Sequence, residues 1–282
     1  MPELPEVEIV GRNLHRWAVG KRIVQIEPLR EATFQDGSLE LAVQVQGSRV
    51  MGIARRGKVL LLETDGPAAW LMRFGMTGKW VQQTGAEPPA RTRVRVALED
   101  GSPLCFVDLR NLGGIWGVAS AQGRDVLARV VPGKDPILEG LDGSDLEAMF
   151  YRRNVAVKAL LLEQSLVAGV GNIYASEALY RAGIHPLTPA GQLEPAACGR
   201  LARAIVEVLT WAIEAEWRDE VKYFGEAGAV NIFSVYQHAG KACGRCGVTI
   251  ERVVIATRST FFCRSCQPDP ALEKVAGGNA IP

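Results

Sequence analysis

Apolar residues recur at helical spacing from the start of the chain. Val7, Val10, Leu14 and Trp17 form one stripe, which predicts an amphipathic helix over residues 4–17. Pro5 suits its first turn, where a missing N–H costs nothing. Glu6 and Glu8 suit its positive end. From Lys21 to about Ala119 the period shortens to that of strands. The stretches 21–28, 39–46, 48–55, 58–63, 68–74, 93–98, 103–107 and 115–119 read as strands. Gly, Asp and Pro punctuate them, as in a sandwich or barrel. Val131-Pro132-Gly133-Lys134-Asp135-Pro136 reads as a linker. Helical spacing then returns. Ser144 and Asp145 are expected to cap a helix running to Arg153. Lys158–Gln164, Asn172–Ala182 and Glu194–Trp217 follow as further helices. Residues 223–230 read as a flexible loop, 253–255 and 260–262 as the strands of a hairpin, and the tail after Gln267 as disordered.

Composition narrows the class. The 282 residues allow one large or two medium domains, and 48% hydrophobic with 22% charged residues is the profile of a globular protein. The net charge of +1 does not announce a polyanionic partner, so any nucleic-acid site has to come from local clustering. Arg49, Arg55, Arg56 and Lys58 cluster, Arg91, Arg93 and Arg95 alternate along one strand, and residues 237–282 carry an excess of Lys and Arg. Taken singly, each cluster reads equally well as solvated surface. No apolar run reaches roughly 18 residues, and no basic-then-apolar leader opens the chain, so a soluble intracellular protein is expected.

Three motifs carry chemistry. Cys243-x2-Cys246 and Cys263-x2-Cys266 are two close thiol pairs across a short hairpin. In a reducing compartment this spacing points to one tetrahedral zinc. Four protein ligands leave no open position, so the metal is expected to be structural. Arg258, expected in the turn of that hairpin, is placed for a phosphate; a structural or protein-binding zinc ribbon is the alternative. Cys105 and Cys198 stand alone and read as buried apolar residues. Gly169-Val170-Gly171-Asn172 lies between two helices, with Asn172 as a helix cap. A helix start of this kind suits an anion, and an ordinary helix–helix turn is the alternative. Last, Pro2 is small enough for the initiator Met to be removed, which would expose a secondary amine. Such an amine, partly neutral at working pH, can attack a sugar carbon to form an iminium, an electron sink. Glu3 and Glu6 beside it can divide acid and base duties. On the residues alone, a capped surface helix is the plainer reading.

The chain resembles a known family over nearly its whole length. Pro2-Glu3-Leu4-Pro5-Glu6-Val7-Glu8 is similar to the opening of the bacterial formamidopyrimidine-DNA glycosylase/endonuclease VIII family. Arg55-Arg56-Gly57-Lys58, Gly75-Met76-Thr77-Gly78, Gly169–Glu177 with Ile184-His185-Pro186, and Thr257–Gln267 resemble its further motifs, in its order. Leu4 favours the formamidopyrimidine branch. The resemblance implies Pro2 as nucleophile, Glu3 as general acid, Glu6 as support and Lys58 as a phosphate contact that assists strand cleavage. It implies flanking-phosphate contacts from Asn172 and Arg258, and a place facing the lesion strand for Lys158. Met76, Arg110 and Leu112 correspond to side chains that fill the space left by an extruded nucleotide. This chain departs from the pattern where Asp108-Leu109-Arg110-Asn111-Leu112-Gly113 replaces Asp-Pro-Arg-Arg-Phe-Gly. The 223–230 loop is short and lacks the usual proline. Both changes bear on base preference.

The fold expected is α+β and multidomain: an N-terminal helix plus β-sandwich, then a helical domain with a helix–two-turns–helix motif and a β-hairpin zinc finger. The expected boundaries are 1–131 for the catalytic domain, 132–136 for the hinge, 137–236 for the helical domain, 237–267 for the zinc finger and 268–282 for the tail. The expected activity is excision of oxidised bases from duplex DNA, which lies in the cleft between domains, followed by β- and δ-elimination. One zinc per chain, damaged double-stranded DNA as partner, a monomer without membrane contact and a cytoplasmic, nucleoid-associated place in a bacterium complete the expectation. The alternatives are a lyase preferring abasic sites or oxidised pyrimidines, and a non-catalytic damaged-DNA-binding paralogue.

Overall fold

The stripe near the N-terminus becomes helix α1 (Leu4–Ala18), with Glu3 as its N-cap and Glu3 and Glu6 paired in a capping box. That arrangement satisfies orphan N–H groups of the first turn. Leu4, Val7, Ile9, Val10, Leu14 and Trp17 bury its inner face. The computed structural model describes residues 2–216, 221–223, 226 and 229–269. It divides into two units, Met1–Pro132 with Ile213–Ala229, and Gly133–Ala212 with Val230–Pro282. Most of the tail expected to be disordered, and residues 224, 225, 227 and 228 of the expected loop, lie outside the described residues.

In the first unit β2 (Val50–Arg56), β3 (Val59–Thr64), β4 (Ala68–Arg73) and β8 (Gly114–Ala119) form one four-stranded antiparallel sheet, in that order. The other sheet runs β1 (Ile23–Glu27), β6 (Thr92–Leu98), β7 (Pro103–Val107), β5 (Lys79–Gln82). One apolar core joins both: Leu60, Leu62, Trp70 and Met72 from the first sheet, and Val94, Val96, Phe106 and Trp80 from the second. The Trp70 and Trp80 rings stack at 6.0 Å between centroids. Strand β6 alternates buried and half-buried positions, the mark of a sheet with one covered face. Strands β3 and β4 are buried on both faces because α3 (Gly123–Val130) covers the outer one. Gly123 lets that helix approach; a Cβ there would stand 3.2 Å from Leu61.

The structure differs locally from what the sequence predicts. Residues 39–46, which alternate like a strand, fold as α2 (Leu39–Ala42) and a 3-10 turn over Val43–Val45. The fold requires this: the Trp70 indole donates to the Ala42 carbonyl at 2.8 Å, and Gly117 of β8 packs directly on the Ala42 backbone. Strand β5 and helix α3 are additions. So is the burial of Val221 and Tyr223 in the first unit's core; residues 213–229, assigned from sequence to the helical domain, belong to that unit.

The second unit is helical. Helix α4 (Gly143–Phe150) is capped by Asp142, two residues before Ser144, with Asp145 completing its capping box. Then come α5 (Val157–Leu161), α6 (Asn172–Ala182) and α7 (Pro195–Glu216), whose residues up to Ala212 lie in this unit. Helix α6 starts from Gly171 as its N-cap, so Asn172 is its first residue, and it ends on Gly183 at φ 70°, the left-handed C-terminal stop that glycine adopts without strain. The antiparallel hairpin β9 (Glu251–Ile255) and β10 (Arg258–Phe262) closes the unit. Among the described residues, no helix is long and apolar enough to cross a membrane.

Candidate active site and nucleic-acid interface

Pro2, Glu3 and Glu6 share the buried start of α1. Pro2 is buried, Glu3 is 2% exposed and Glu6 6% exposed. The Glu3 backbone N–H donates to Glu6 Oε2 at 2.6 Å. The helix thus fixes the backbone beside the proline while the Glu3 side chain stays out of bulk water. Burying two carboxylates costs free energy unless they are hydrogen-bonded.

Lys58 sits at the tip of the β2–β3 hairpin. Arg56 pairs with Val59, so Gly57 and Lys58 are the whole turn, and Gly57 supplies φ 54° at the position where a two-residue turn demands it. Arg55 braces this turn. Its Nε donates to Glu8 Oε2 at 2.6 Å and its Nη1 to the Gly57 carbonyl at 3.3 Å. Glu8 lies on α1, so one buried ion pair couples the helix that starts at Glu3 to the turn that holds Lys58. Burial pushes the Glu8 carboxyl up, but Arg55 and then Arg12 outweigh it and hold the group below its ordinary value. Arg56 donates to the Val131 carbonyl at 2.6 Å, and Arg49 pairs with Glu99 at 3.1 Å. Of the basic cluster read from sequence, three arginines therefore brace the fold.

The loops that carry Met76, Arg110 and Leu112 come together. Gly75 packs so closely on the Leu112–Gly113 backbone that a Cβ would stand 2.3 Å from the Leu112 carbonyl carbon. Asp108, 1% exposed, organises the loop. Its Oδ1 accepts from Thr77 Oγ1 at 2.5 Å and from Arg110 N at 3.1 Å, and its Oδ2 accepts from Gly113 N at 2.8 Å. Arg93 grips the Asp108 carbonyl through Nε at 2.9 Å and Nη2 at 2.7 Å. Held at its base, the loop leaves Arg110 and Leu112 exposed and Met76 half-buried. Below it Tyr223 donates to the Gly78 carbonyl at 2.5 Å. Burial raises the Tyr223 phenol, and the carboxylates of Glu6, Glu226 and Asp108 raise it further. Lys79 donates to the Val221 carbonyl at 3.1 Å and to Glu226 at 3.0 Å. Thr77, Arg93, Asp108 and Tyr223 were not singled out from sequence. Thr77 and Asp108 stood only as members of motifs and Arg93 only in an alternation along its strand, none with a role of its own.

The second unit gathers Asn172, Lys158 and the hairpin. Lys158, expected to face a lesion strand, has no exposure. Its Nζ donates to Asn172 Oδ1 and to Thr260 Oγ1, both at 2.7 Å. Asn172 Nδ2 donates to the Ser259 carbonyl at 2.9 Å. Lys158 and Asn172 therefore tie α5 and α6 to β10. Arg258 is exposed and is the first residue of β10, just past a turn made by Ala256 and Thr257. Glu177, also missed, is a buried brace: its carboxylate accepts the N–H groups of Ser234, Val235 and Tyr236 at 2.8 to 2.9 Å.

Cys243, Cys246, Cys263 and Cys266 place their sulfurs within 4.8 Å of one another. Cys243 and Cys266 are 3.9 Å apart and Cys246 and Cys263 3.4 Å. A tetrahedron with Zn–S bonds of about 2.3 Å has edges of about 3.8 Å, so the four thiolates fit one structural zinc.

Comparison with known proteins agrees with these two halves. Residues 1–115 match the formamidopyrimidine-DNA glycosylase N-terminal domain, 133–221 the formamidopyrimidine-DNA glycosylase H2TH domain, and 240–268 the zinc finger found in FPG and IleRS. The formamidopyrimidine-DNA glycosylase of Geobacter metallireducens is 40% identical, with 95% of this chain and all of the relative covered. That of Gloeobacter violaceus is 39% identical over 95% of this chain and 98% of its own length. The structure of Lactococcus lactis Fpg in complex with abasic-site DNA superposes with a TM-score of 0.85 at 31% identity, covering 95% of this chain and 100% of the other.

Proposed function

That this chain belongs to the formamidopyrimidine-DNA glycosylase family is the premise from which we propose its reaction: excision of oxidised bases from duplex DNA, then cleavage of the strand at the same nucleotide. The family makes it a DNA-repair glycosylase with a zinc finger. Its partner is damaged double-stranded DNA, which it meets as a monomer. The working parts are the catalytic residues 1–131 joined by 213–229, the hinge 132–136, the helical residues 137–212 with 230–236, and the zinc finger 237–267. The observation that carries the mechanism is the buried Pro2 followed by a carboxyl side chain that is itself only 2% exposed.

Once Met1 is removed, the Pro2 amine attacks C1′ of the damaged nucleotide, and the bond to the base breaks. Glu3 delivers a proton to the sugar ring oxygen, the C1′–O4′ bond opens, and the nitrogen becomes an iminium. Loss of a C2′ proton then expels the 3′ phosphate, a second elimination expels the 5′ phosphate, and hydrolysis frees Pro2. Glu6 holds Glu3 in register. Lys58 balances phosphate charge near the lesion. Asn172, held by Lys158, and Arg258 engage flanking phosphates. Met76, Arg110 and Leu112 occupy the space of the extruded nucleotide. Zinc supplies no chemistry to the reaction; it shapes the hairpin.

Borohydride should trap the wild-type protein covalently on abasic DNA, and Pro2→Gly should remove most of the trapping. Full trapping with a retained N-terminal Met would exclude the mechanism. Glu3→Gln should impair base release far more than cleavage of a ready-made abasic site. A second reading, preference for abasic sites and poorly stacked lesions, is favoured by Leu112, which cannot stack as a flat ring. Single-turnover cleavage across a lesion series separates the two. Leu112→Phe should raise the 8-oxoguanine rate selectively if the second reading holds, and Arg110 predicts faster processing opposite cytosine than opposite adenine.

A further inference from the structure

We propose that Tyr180 is a positioning residue of the zinc module: its hydroxyl donates a hydrogen bond to the Cys243 thiolate and fastens the module to α6. The Tyr180 oxygen lies 3.1 Å from Cys243 Sγ, and the Arg245 backbone N–H reaches the same sulfur at 3.4 Å. A metal-bound thiolate has no proton to give, so the phenol is the donor. Four thiolates around one zinc leave excess negative charge on the sulfurs, and donors that meet it strengthen retention of the metal. Tyr180 is 4% exposed and Cys243 3% exposed, so bulk water is kept from competing for the sulfur. Arg245 covers the phenol: its guanidinium carbon stands 4.2 Å from the ring centroid, and its Nη1 donates to the Tyr180 carbonyl at 2.9 Å.

One residue of α6 therefore holds the first cysteine pair by both side chain and backbone. The same helix holds the hairpin at its other end, where Asn172 Nδ2 meets the Ser259 carbonyl. The two anchors lie two turns apart on a rigid rod. The cysteines are treated unequally. Cys243 is buried and meets the Tyr180 hydroxyl, whereas Cys246 is exposed. Loss of metal should begin at the exposed ligand and be resisted at Cys243.

Tyr180→Phe in the full chain keeps the ring and the Arg245 stack and deletes only the hydroxyl. With zinc loaded, transfer of the metal to a chromogenic chelator should become faster on the order of tenfold. In cobalt-substituted protein the thiolate-to-metal charge-transfer band should move to lower energy, because the sulfur electrons lose a stabilising hydrogen bond. Arg245→Met leaves the hydroxyl but uncovers it; it should quicken zinc transfer only a few-fold and leave the band in place. Zinc transfer at the wild-type rate in Tyr180→Phe overturns the proposal. So does faster transfer with an unmoved band, which would give Tyr180 a packing role alone. If Tyr180→Phe does not yield folded protein, a wild-type transfer rate in Arg245→Met overturns it. No readout involves DNA, so these outcomes are independent of the glycosylase reading.

Discussion

Two hairpins in this chain end in turns of two residues, and each carries a cation at its tip. In the β2–β3 hairpin the turn is Gly57-Lys58; in the β9–β10 hairpin it is Ala256-Thr257, with Arg258 next. The first belongs to a four-stranded sheet, and its Leu60 and Leu62 reach the large core. The second is a two-stranded sheet, which by itself is marginal in water. Its apolar support is a small cluster of Tyr180, Val235, Ile250 and Phe261 around two cysteines. Where the chain has volume to bury, apolar packing and a buried ion pair set the cation. Where it has not, four thiolates and a metal do.

The sharpest way to break that comparison is to remove the metal. Cys263→Ser should unfold the second hairpin and leave the first intact, because structural zinc supplies about 10 kcal/mol or more of folding free energy to such modules. DNA affinity should drop steeply, because Arg258 loses its scaffold. The near-ultraviolet circular dichroism of the Trp70–Trp80 stack should persist. A loss of both signals together would mean that the two hairpins share one source of order.

The reciprocal experiment attacks the first hairpin. Arg55 and Glu8 have side chains 4% and 18% exposed, and removing one partner of a buried pair costs about 3 kcal/mol. Arg55→Met should lower the melting temperature of the sandwich without changing zinc content. The pair also has a pH signature. The folded carboxyl of Glu8 lies below its ordinary value of 4.5. Its contribution is therefore complete above about pH 4.5 and is lost as pH falls through the lower folded value. The gap in melting temperature between wild type and Glu8→Gln should be open at pH 7 and close below pH 4.5. Thiolates are protonated in acid as well, so the tryptophan signal is the one to follow. A gap that widens in acid would mean that Glu8 is not held as an anion.

Much of this could be read before folding, and the exceptions have physical reasons. Asn172–Ala182 is a helix to the residue because Gly171 and Gly183 bound it and its apolar spacing is unbroken. The cysteine spacing led directly to the metal site. Leu39–Val45 was misread because its alternation is that of a strand, while the contacts that make it helical, with Trp70 and Gly117, lie far along the chain. Strand β5 was missed because it has four residues and opens with a lysine. In the candidate site, Pro2 and Glu3 drew notice only through resemblance, since a proline and a glutamate at a helix start have a plainer meaning. The roles of Arg93 and Thr77 stayed hidden because their shared partner, Asp108, lies 15 and 31 residues away.

The two cations themselves can be compared next. Arg258→Ala should weaken DNA binding about tenfold, evenly across sequences, and lower the salt slope by about 1, as expected for one lost phosphate contact. Zinc content should not change. Lys58→Ala should bind more nearly as wild type does and slow strand cleavage. Titrations at two salt concentrations, with single-turnover cleavage alongside, distinguish the roles. A sequence-dependent loss in Arg258→Ala would point to base readout instead.

The smallest effects should come from the turns, and they should have opposite signs. Gly57 has φ 54°, while Ala256 and Thr257 stand at 48° and 61° without being glycine. Left-handed backbone costs an ordinary residue roughly 1 kcal/mol, and a β-branched one is a true outlier there. Gly57→Ala should therefore destabilise the sandwich by about 1 kcal/mol. Thr257→Gly should relieve strain, offset in part by the greater freedom of glycine in the unfolded chain, for a net gain of about 0.5 kcal/mol. That gain should appear as slower zinc transfer to a chelator, since the hairpin and the metal site unfold together. Thr257→Gly also removes the hydroxyl that accepts from Arg258 Nη1 at 3.4 Å, so DNA affinity should fall slightly while the module becomes more stable. Such a trade is expected where strain at a turn keeps a side chain in place. If Thr257→Gly instead speeds zinc loss, the turn is not strained, and the second hairpin owes its geometry to more than its metal.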